Sequence, residues 1–102
     1  MITQATSLED LQKDHPVVVC FTNPFTCNPC TMFKPHFENA AKSVDGVEFM
    51  EVDATDPAHR PIVDEYLERF LTPTVILIKG SERINVEART TIPLINEING
   101  LV

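Results

Sequence analysis

Two uninterrupted apolar runs limit most strongly what this chain can fold into. They are residues 17–21, with the sequence VVVCF, and residues 75–78, with the sequence VILI. A strand that is apolar at every position has to be covered on both of its faces, as in a sheet packed between helices. The two runs therefore predict a buried sheet in an α/β fold.

The segments between and after these runs show helical spacing. Apolar residues recur every three or four positions over residues 30–44 and 62–70, and again at Leu94, Ile95 and Ile98. Pro35 lies inside the first of these predicted helices and should kink it, and Pro61 fits the first turn of the second. A capping pattern at Ser7 predicts one more short helix before the first run.

The full pattern predicts the element order β-α-β-α-β-α-β-β-α. Strands are expected at residues 2–5, 17–21, 47–52, 74–78 and 83–88. Strands that alternate with helices favour a single sheet with helices on both faces. The last two strands form a hairpin and must be antiparallel, so the sheet is mixed. The chain of 102 residues has the length of one domain, which we expect to span residues 1–102.

Charge and composition exclude several classes of protein. Eight Lys and Arg residues against fifteen Asp and Glu give a net charge of −7, which argues against nucleic acid as a partner. No apolar run is long enough to cross a membrane, and the first fourteen residues do not resemble a secretory signal. We therefore expect a cytoplasmic protein that binds neither nucleic acid nor a membrane.

Cys27 and Cys30 form a C-x-x-C motif where the first apolar run meets the first long helix. Free N–H groups and the helix dipole at a first helical turn stabilise an anion, which favours a thiolate at Cys27. Cys30 lies one turn later on the apolar face, close enough to resolve a mixed disulfide. Pro29 has a backbone angle suited to a first turn. The motif predicts a pair of redox thiols.

A zinc site is the alternative interpretation of the same motif. A structural zinc ion needs four ligands, and the chain has only four other cysteine or histidine side chains to offer. Their expected positions do not suit a metal, since one lies within a buried strand and the others are expected at the surface. We therefore expect no metal ion at this motif. The four candidates are Cys20, His15, His36 and His59.

At this point the chain resembles the thioredoxin family. The resemblance covers the whole chain and implies the thioredoxin fold, a single mixed sheet flanked by helices on both faces. The residues that carry it are Phe21, the motif Cys27-Asn28-Pro29-Cys30, Pro35, Val52-Asp53 and Thr72-Pro73-Thr74 before the second apolar run.

The resemblance also implies roles for individual residues. Cys27 would be the exposed nucleophile and Cys30 the buried resolving thiol, with their disulfide as the only redox group and no further cofactor. Pro73 would be cis and would pack against the disulfide, and the backbone of Thr72 would pair with an extended stretch of substrate. The remaining residues implied to contact the substrate are Thr26, Asn28 and Pro29.

The activity implied by the resemblance is thiol–disulfide exchange that reduces disulfides in protein substrates. A flavoprotein similar to thioredoxin reductase would supply the electrons, and the protein would act as a monomer. Two alternatives stay open: an oxidising or isomerising variant, and a thioredoxin-fold subunit that binds partners in a larger complex. A glutaredoxin-like activity is disfavoured by Pro29, since glutathione users usually carry Tyr at that position.

The chain departs from the usual family pattern in ways that bear on its chemistry. Thr26 and Asn28 stand where Trp and Gly are usual, and no glycine occurs over residues 88–91, before the last helix. A buried Asp–Lys pair that the family usually carries is also missing. Cys20 or Phe21 stands at the first position and Phe49 at the second, so Cys30 is expected to lack an internal carboxylate that could take its proton.

Overall fold

The strands form one mixed five-stranded sheet in the computed structural model, which describes residues 2–102. The spatial order is β1-β3-β2-β4-β5. β3 runs parallel to both β1 and β2, whereas β4 is antiparallel to β2 and to β5. The mixed sheet is thus confirmed. Its strands are β1 (Ile2–Gln4), β2 (Val17–Thr22), β3 (Glu48–Asp53), β4 (Thr74–Lys79) and β5 (Glu82–Val86).

Helices cover both faces of this sheet, as expected. Side chains of the two longer helices, α1 and α3, pack on one face, and side chains of α2 pack on the other. We call these the α1 face and the α2 face. Leu11 of a short 3-10 turn at Glu9–Leu11 also packs on the α2 face, and a second 3-10 turn, Pro57–His59, precedes α2. The helices are α1 (Asn28–Ser43), α2 (Arg60–Tyr66) and α3 (Thr91–Leu101).

β2 lies at the centre of the sheet and explains the first apolar run. Residues 17–21 are all buried, and their side chains alternate between the two faces. Val18 and Cys20 belong to the cluster on the α1 face, whereas Val19 and Phe21 belong to the cluster on the α2 face. The burial of Cys20 within the strand is as predicted. β2 therefore delivers the chain, at its carboxyl end, to the start of α1.

α1 packs on the sheet through a cluster of aromatic side chains. Phe33 and Phe37 lie on its buried face with ring centroids 5.6 Å apart, and the ring of Phe37 lies 5.3 Å from that of Phe49 on β3. Pro35 is on the exposed side of the helix, so its missing N–H does not disturb this packing. After the end of α1, Gly46 adopts a φ of 77°, a backbone angle that side chains disfavour.

The structure corrects three of the predicted elements. The segment after Ser7 forms only the 3-10 turn, although Leu11 is buried as its spacing predicted. α2 ends at Tyr66, and Phe70, expected on the buried face, is 58% exposed. One reason is Arg83, whose Nη1 donates to the Glu65 carbonyl at 2.8 Å, where the amide of a continued helix would bind.

β5 is the third corrected element, because it ends at Val86 and does not reach residue 88. The backbone N–H groups of Glu87 and Ala88 donate to the Glu97 carboxylate of α3 at 2.8–3.1 Å. Those amides are therefore unavailable to the β4 strand. The segment from residue 87 to residue 90 connects the sheet to α3.

The prediction that all three histidines are surface residues is wrong for His59. This side chain is buried, and its Nδ1 donates to the Asp53 carbonyl at 2.8 Å, which joins the end of β3 to the start of α2. His36 is half-buried, and His15 is exposed as predicted. Within residues 2–102, none of the helices combines the length and apolar character needed to cross a bilayer.

Candidate functional site

The loop between β2 and α1 is held by a single asparagine. The side-chain oxygen of Asn23 accepts from the backbone N–H groups of Phe25 at 2.9 Å and Thr26 at 3.1 Å. Its amide nitrogen donates to the Thr26 hydroxyl at 2.9 Å. This turn chemistry is common for asparagine and fixes the approach of the chain to Cys27.

Cys27 is the N-cap residue of α1. Its Sγ accepts from the backbone N–H of Cys30 at 3.2 Å, in the way that a serine or aspartate oxygen caps other helices. Pro29 lies in the first turn, where its missing N–H costs no hydrogen bond. Cys27 is half-buried, and Cys30 is buried with 6% of its surface exposed. A helix N-terminus that donates to the sulfur stabilises negative charge on it.

The two cysteines are joined by a disulfide bond, with their Cα atoms 5.2 Å apart. This Cα separation lies within the range that a disulfide bond requires. Within the described part of the chain, no three side chains of the metal-binding types come together.

The loop before β4 brings Thr72 and Pro73 to this disulfide. Cys27 Sγ lies 3.5 Å from the Thr72 carbonyl oxygen, and the Thr72 hydroxyl donates to the same sulfur at 3.6 Å. The Thr72–Pro73 peptide bond is cis, as predicted. The structure therefore brings Thr72, and with it the adjacent Pro73, to the Cys27–Cys30 pair, although more than forty residues separate the two segments.

The other predicted contact residues are at the surface beside the disulfide. Thr26, Asn28 and Pro29 are all exposed, next to Cys27 in the chain. Phe25 is 77% exposed and Leu71 is 57% exposed, so large apolar side chains precede both halves of the site.

Cys20 is the buried counterpart of these cysteines. Burial, and secondarily the charge of Glu51, raises the pKa of its thiol to about 12. It lies on the α1 face, whereas Phe21 lies on the α2 face, so of these two residues Cys20 is the one on the side of the helix that carries the motif. Phe49 is buried on the same face as Cys20. No Asp–Lys pair occupies these two positions.

Glu51 is a buried carboxylate on the strand next to Cys20. It is buried in β3, opposite Cys20 in the parallel register, and it accepts from Gln4 Nε2 at 2.8 Å. Asp53, at the end of the same strand, has its carboxylate bound to the Thr55 amide at 2.9 Å and to the Thr55 hydroxyl. Asp53 thus holds a turn of the backbone through its carboxylate, whereas Glu51 is bound to the side chain of Gln4.

Arg89 was missed by the sequence analysis. Its Nη2 donates to the Pro73 carbonyl at 3.4 Å, so a cation stands directly beside the predicted substrate-pairing residue Thr72. The sequence held one signal for it, because Arg89 falls within residues 88–91, where the family usually has a glycine.

The sheet, the covering helices and the bonded C-x-x-C pair define a thioredoxin-fold protein whose site supports thiol–disulfide oxidoreductase chemistry in general. The family model named Thioredoxin matches residues 1–99 of the chain. The chain therefore belongs to the thioredoxin family. No curated protein sequence matches it at a significant level.

Solved structures show the same fold. A thioredoxin from Trypanosoma brucei brucei superposes with a TM-score of 0.79 at 22% identity, over 99% of this chain and 90% of that one. A thioredoxin mutant from Entamoeba histolytica gives 0.75 at 22%, over 98% and 99%. The J-Trx1 fragment of ERdj5 gives 0.81 at 16% over 98% of this chain, which spans only 51% of that fragment.

Proposed function

We propose that this protein reduces disulfide bonds in other proteins through the pair Cys27–Cys30. The observation that supports this most is the position of Cys27 Sγ. It caps the start of α1, is partly exposed, and lies 3.5 Å from the Thr72 carbonyl beside Pro73. A sulfur in such a place is accessible to a second disulfide and is stabilised as a thiolate.

The exchange begins from the reduced protein. The Cys27 thiolate attacks one sulfur of the substrate disulfide, that S–S bond breaks, and a mixed disulfide forms while the other substrate sulfur leaves as a thiolate and takes a proton. Cys30 then loses its proton and attacks Cys27 Sγ. The mixed disulfide breaks, the second substrate thiolate leaves and is protonated, and the Cys27–Cys30 disulfide forms. Two electrons have passed to the substrate, whose two thiols take one proton equivalent to that released by Cys30 and one from the solvent.

Docking in this proposal uses the loops around the disulfide. An extended stretch of the substrate pairs with the backbone of Thr72, as a short added strand. Thr26, Asn28 and Pro29 contact the substrate on the other side, since all three are exposed next to Cys27.

Turnover requires an electron donor, which we propose is a flavoprotein similar to thioredoxin reductase. The protein would act as a monomer in the cytoplasm, without a cofactor beyond its own disulfide. An odd number of cysteines, one of them a buried free thiol, fits a reducing compartment.

The test is insulin reduction followed by turbidity, with dithiothreitol as the donor, and then with NADPH and a thioredoxin reductase. Wild-type protein should accelerate precipitation, the Cys27→Ser variant should not, and Cys20→Ala should behave as wild type. A wild-type protein without effect on insulin or on any small disulfide would contradict the proposal and favour a binding subunit.

The reduction potential of the pair, measured by equilibration with glutathione, separates reductant from oxidant. A potential of about −270 mV, as in thioredoxin, would support the reducing direction. A potential of about −120 mV, as in a strong protein disulfide oxidant, would contradict it and indicate an oxidising variant.

A further inference from the structure

Arg89 stands between the two elements that form the disulfide site. Its guanidinium lies over the ring of Phe33, with the central carbon 5.3 Å from the ring centroid, and Phe33 is one turn after Cys30 in α1. On its other side, Nη2 donates to the Pro73 carbonyl at 3.4 Å. The charge is thus held next to the residues where a substrate would dock.

The segment that carries Arg89 is fixed from both directions. Nη1 of Arg89 donates to the carbonyls of Val86 at 2.7 Å and Ala88 at 3.0 Å. The Glu97 carboxylate accepts the backbone N–H groups of Glu87 and Ala88. A guanidinium that is already ordered loses little conformational entropy when it binds a ligand.

No carboxylate neutralises Arg89 within residues 2–102. Arg60 pairs with Asp64 at 3.0 Å and Arg83 pairs with Glu65 at 2.7 Å, but Arg89 binds only carbonyl oxygens. A guanidinium has five N–H donors, of which these contacts use three. The Nε–H and one Nη2–H remain, and such donors bind carboxylates best.

We propose that Arg89 determines substrate specificity by binding a carboxylate side chain on the substrate, one or two residues from the cysteine that Cys27 attacks. This inference rests on the proposed disulfide exchange. The position follows from the path of the docked strand, because Thr72 contacts Cys27 Sγ and the next carbonyl, that of Pro73, contacts Arg89. Successive residues of a strand advance by about 3.3 Å, so a neighbouring side chain comes within reach.

The preference is confined to that one position. A groove of about 570 Å³ continues from Pro73 and Arg89 along β5. Its lining includes four carboxylates and two further arginines, one of which, Arg83, is paired with Glu65. With a net charge of −7, the protein as a whole repels acidic partners. A carboxylate is therefore favoured beside Arg89 and disfavoured farther along the groove.

The experiment uses three peptide disulfides that differ only at the residue next to the cystine, which is Glu, Gln or Lys. The second-order rate of oxidation of the reduced protein is measured by stopped flow. We expect the Glu peptide to react roughly 5-fold faster than the Gln peptide in the wild type, and the Lys peptide to be slowest. Arg89→Gln should bring the three rates together, and Arg89→Lys should restore the order in part.

Lys79→Gln is the matched control, since it removes the same charge at the far end of β4. It should leave the order of the three peptides unchanged. Equal slowing of all three peptides by Arg89→Gln, with their ratio preserved, would overturn the inference and indicate a structural role or an effect on the Cys27 thiolate. A wild type that prefers the Gln or Lys peptide would overturn it as well. If the wild type reduces none of the three, the proposed function itself fails.

Discussion

Cys20 and Cys27 are separated by one short stretch of chain, yet the structure gives their sulfurs opposite surroundings. Cys20 lies mid-strand in β2, 3% exposed, and burial raises its pKa to about 12. Cys27 caps α1, where an N–H group donates to its sulfur. In the middle of a strand the backbone amides are bound to other strands, whereas a helix start leaves amides free. Backbone position, more than residue type, therefore decides which cysteine can be a nucleophile.

The largest expected effect is on exchange itself. Cys27→Ser should abolish disulfide reduction, because the hydroxyl is a far weaker nucleophile than the thiolate. Cys30→Ser should instead leave Cys27 able to attack but unable to be released, so mixed disulfides accumulate and are seen by mass spectrometry without reductant. Trapping by Cys27→Ser and not by Cys30→Ser would reverse the two roles.

The second effect concerns the proton of Cys30. With Cys20 and Phe49 at the positions of the missing acid and base, we expect resolution of the mixed disulfide to accelerate with pH up to roughly pH 8 and above, the range of free thiols. Stopped-flow measurement from acidic to alkaline pH gives the profile. A rate already flat by about pH 7 would mean that an internal base exists, and loss of that plateau in Glu51→Gln would identify it.

The third effect is the order of alkylation. Because a pKa of about 12 leaves only about one Cys20 thiol in ten thousand ionised at pH 8, iodoacetamide should label reduced Cys27 first and leave Cys20 unmodified. Peptide mapping gives the order, and the same treatment in strong denaturant should label Cys20. Native labelling of Cys20 at a rate similar to that of Cys27 would remove the contrast between the two environments.

A smaller effect tests how the helix of the motif is held to α3. His36 of α1 accepts at Nδ1 from the Thr91 backbone N–H at 3.1 Å and from its hydroxyl at 2.8 Å, and Thr90 provides no side-chain cap. His36→Ala should cost about 1 kcal/mol, the usual value for a lost N-cap. Urea unfolding measures it, with Lys34→Ala as the exposed control on the same helix. Equal stability of the two variants would show that the contact contributes nothing.

The smallest effect lies at the other end of β2. His15 is exposed, and its ring donates hydrogen bonds to the carboxylates of Glu48 and Asp14, which raise its pKa above the usual value, Glu48 more than Asp14. The charged form is therefore favoured by folding, so its contribution is complete below about pH 6.5 and disappears as the pH rises through the raised pKa. The His15→Gln variant should therefore be less stable than the wild type at pH 5.5, and this difference in the free energy of unfolding should shrink as the pH rises to 9. A gap that widens with pH would contradict this.

The sequence was sufficient for the sheet and for the cysteine pair, because both depend on local patterns. The run at residues 17–21 is apolar at every position, and the C-x-x-C follows it directly. Pro73 required the resemblance, since nothing local places a loop beside a motif more than forty residues away. The resemblance left Cys20 and Phe21 as alternatives for the position of the missing acid, and the structure places Cys20, not Phe21, on the α1 face.

The predictions that were wrong concern segments whose ends are decided by distant side chains. Residues 67–70 continue the helical spacing of α2, but Arg83 of β5 occupies the carbonyl of Glu65. β5 stops at Val86 because Glu97 takes the next amides. Arg89 belongs to the same category, since its importance comes from Pro73 and Phe33, neither of which is near it in the sequence. His59 is different, because the Asp53 carbonyl that accepts from its ring is only six residues away.

The central place of β2 has a consequence for hydrogen exchange. Its strand pairs with β3 on one side and β4 on the other, so its amides have partners in both directions. Such amides exchange with solvent only when the whole domain opens, on the slowest timescale that the protein has. The disulfide at the end of that strand can meanwhile open and close many times. The rate of amide exchange in β2 and the rate of thiol exchange at Cys27 would then be independent of each other, although the two sites are only a few residues apart.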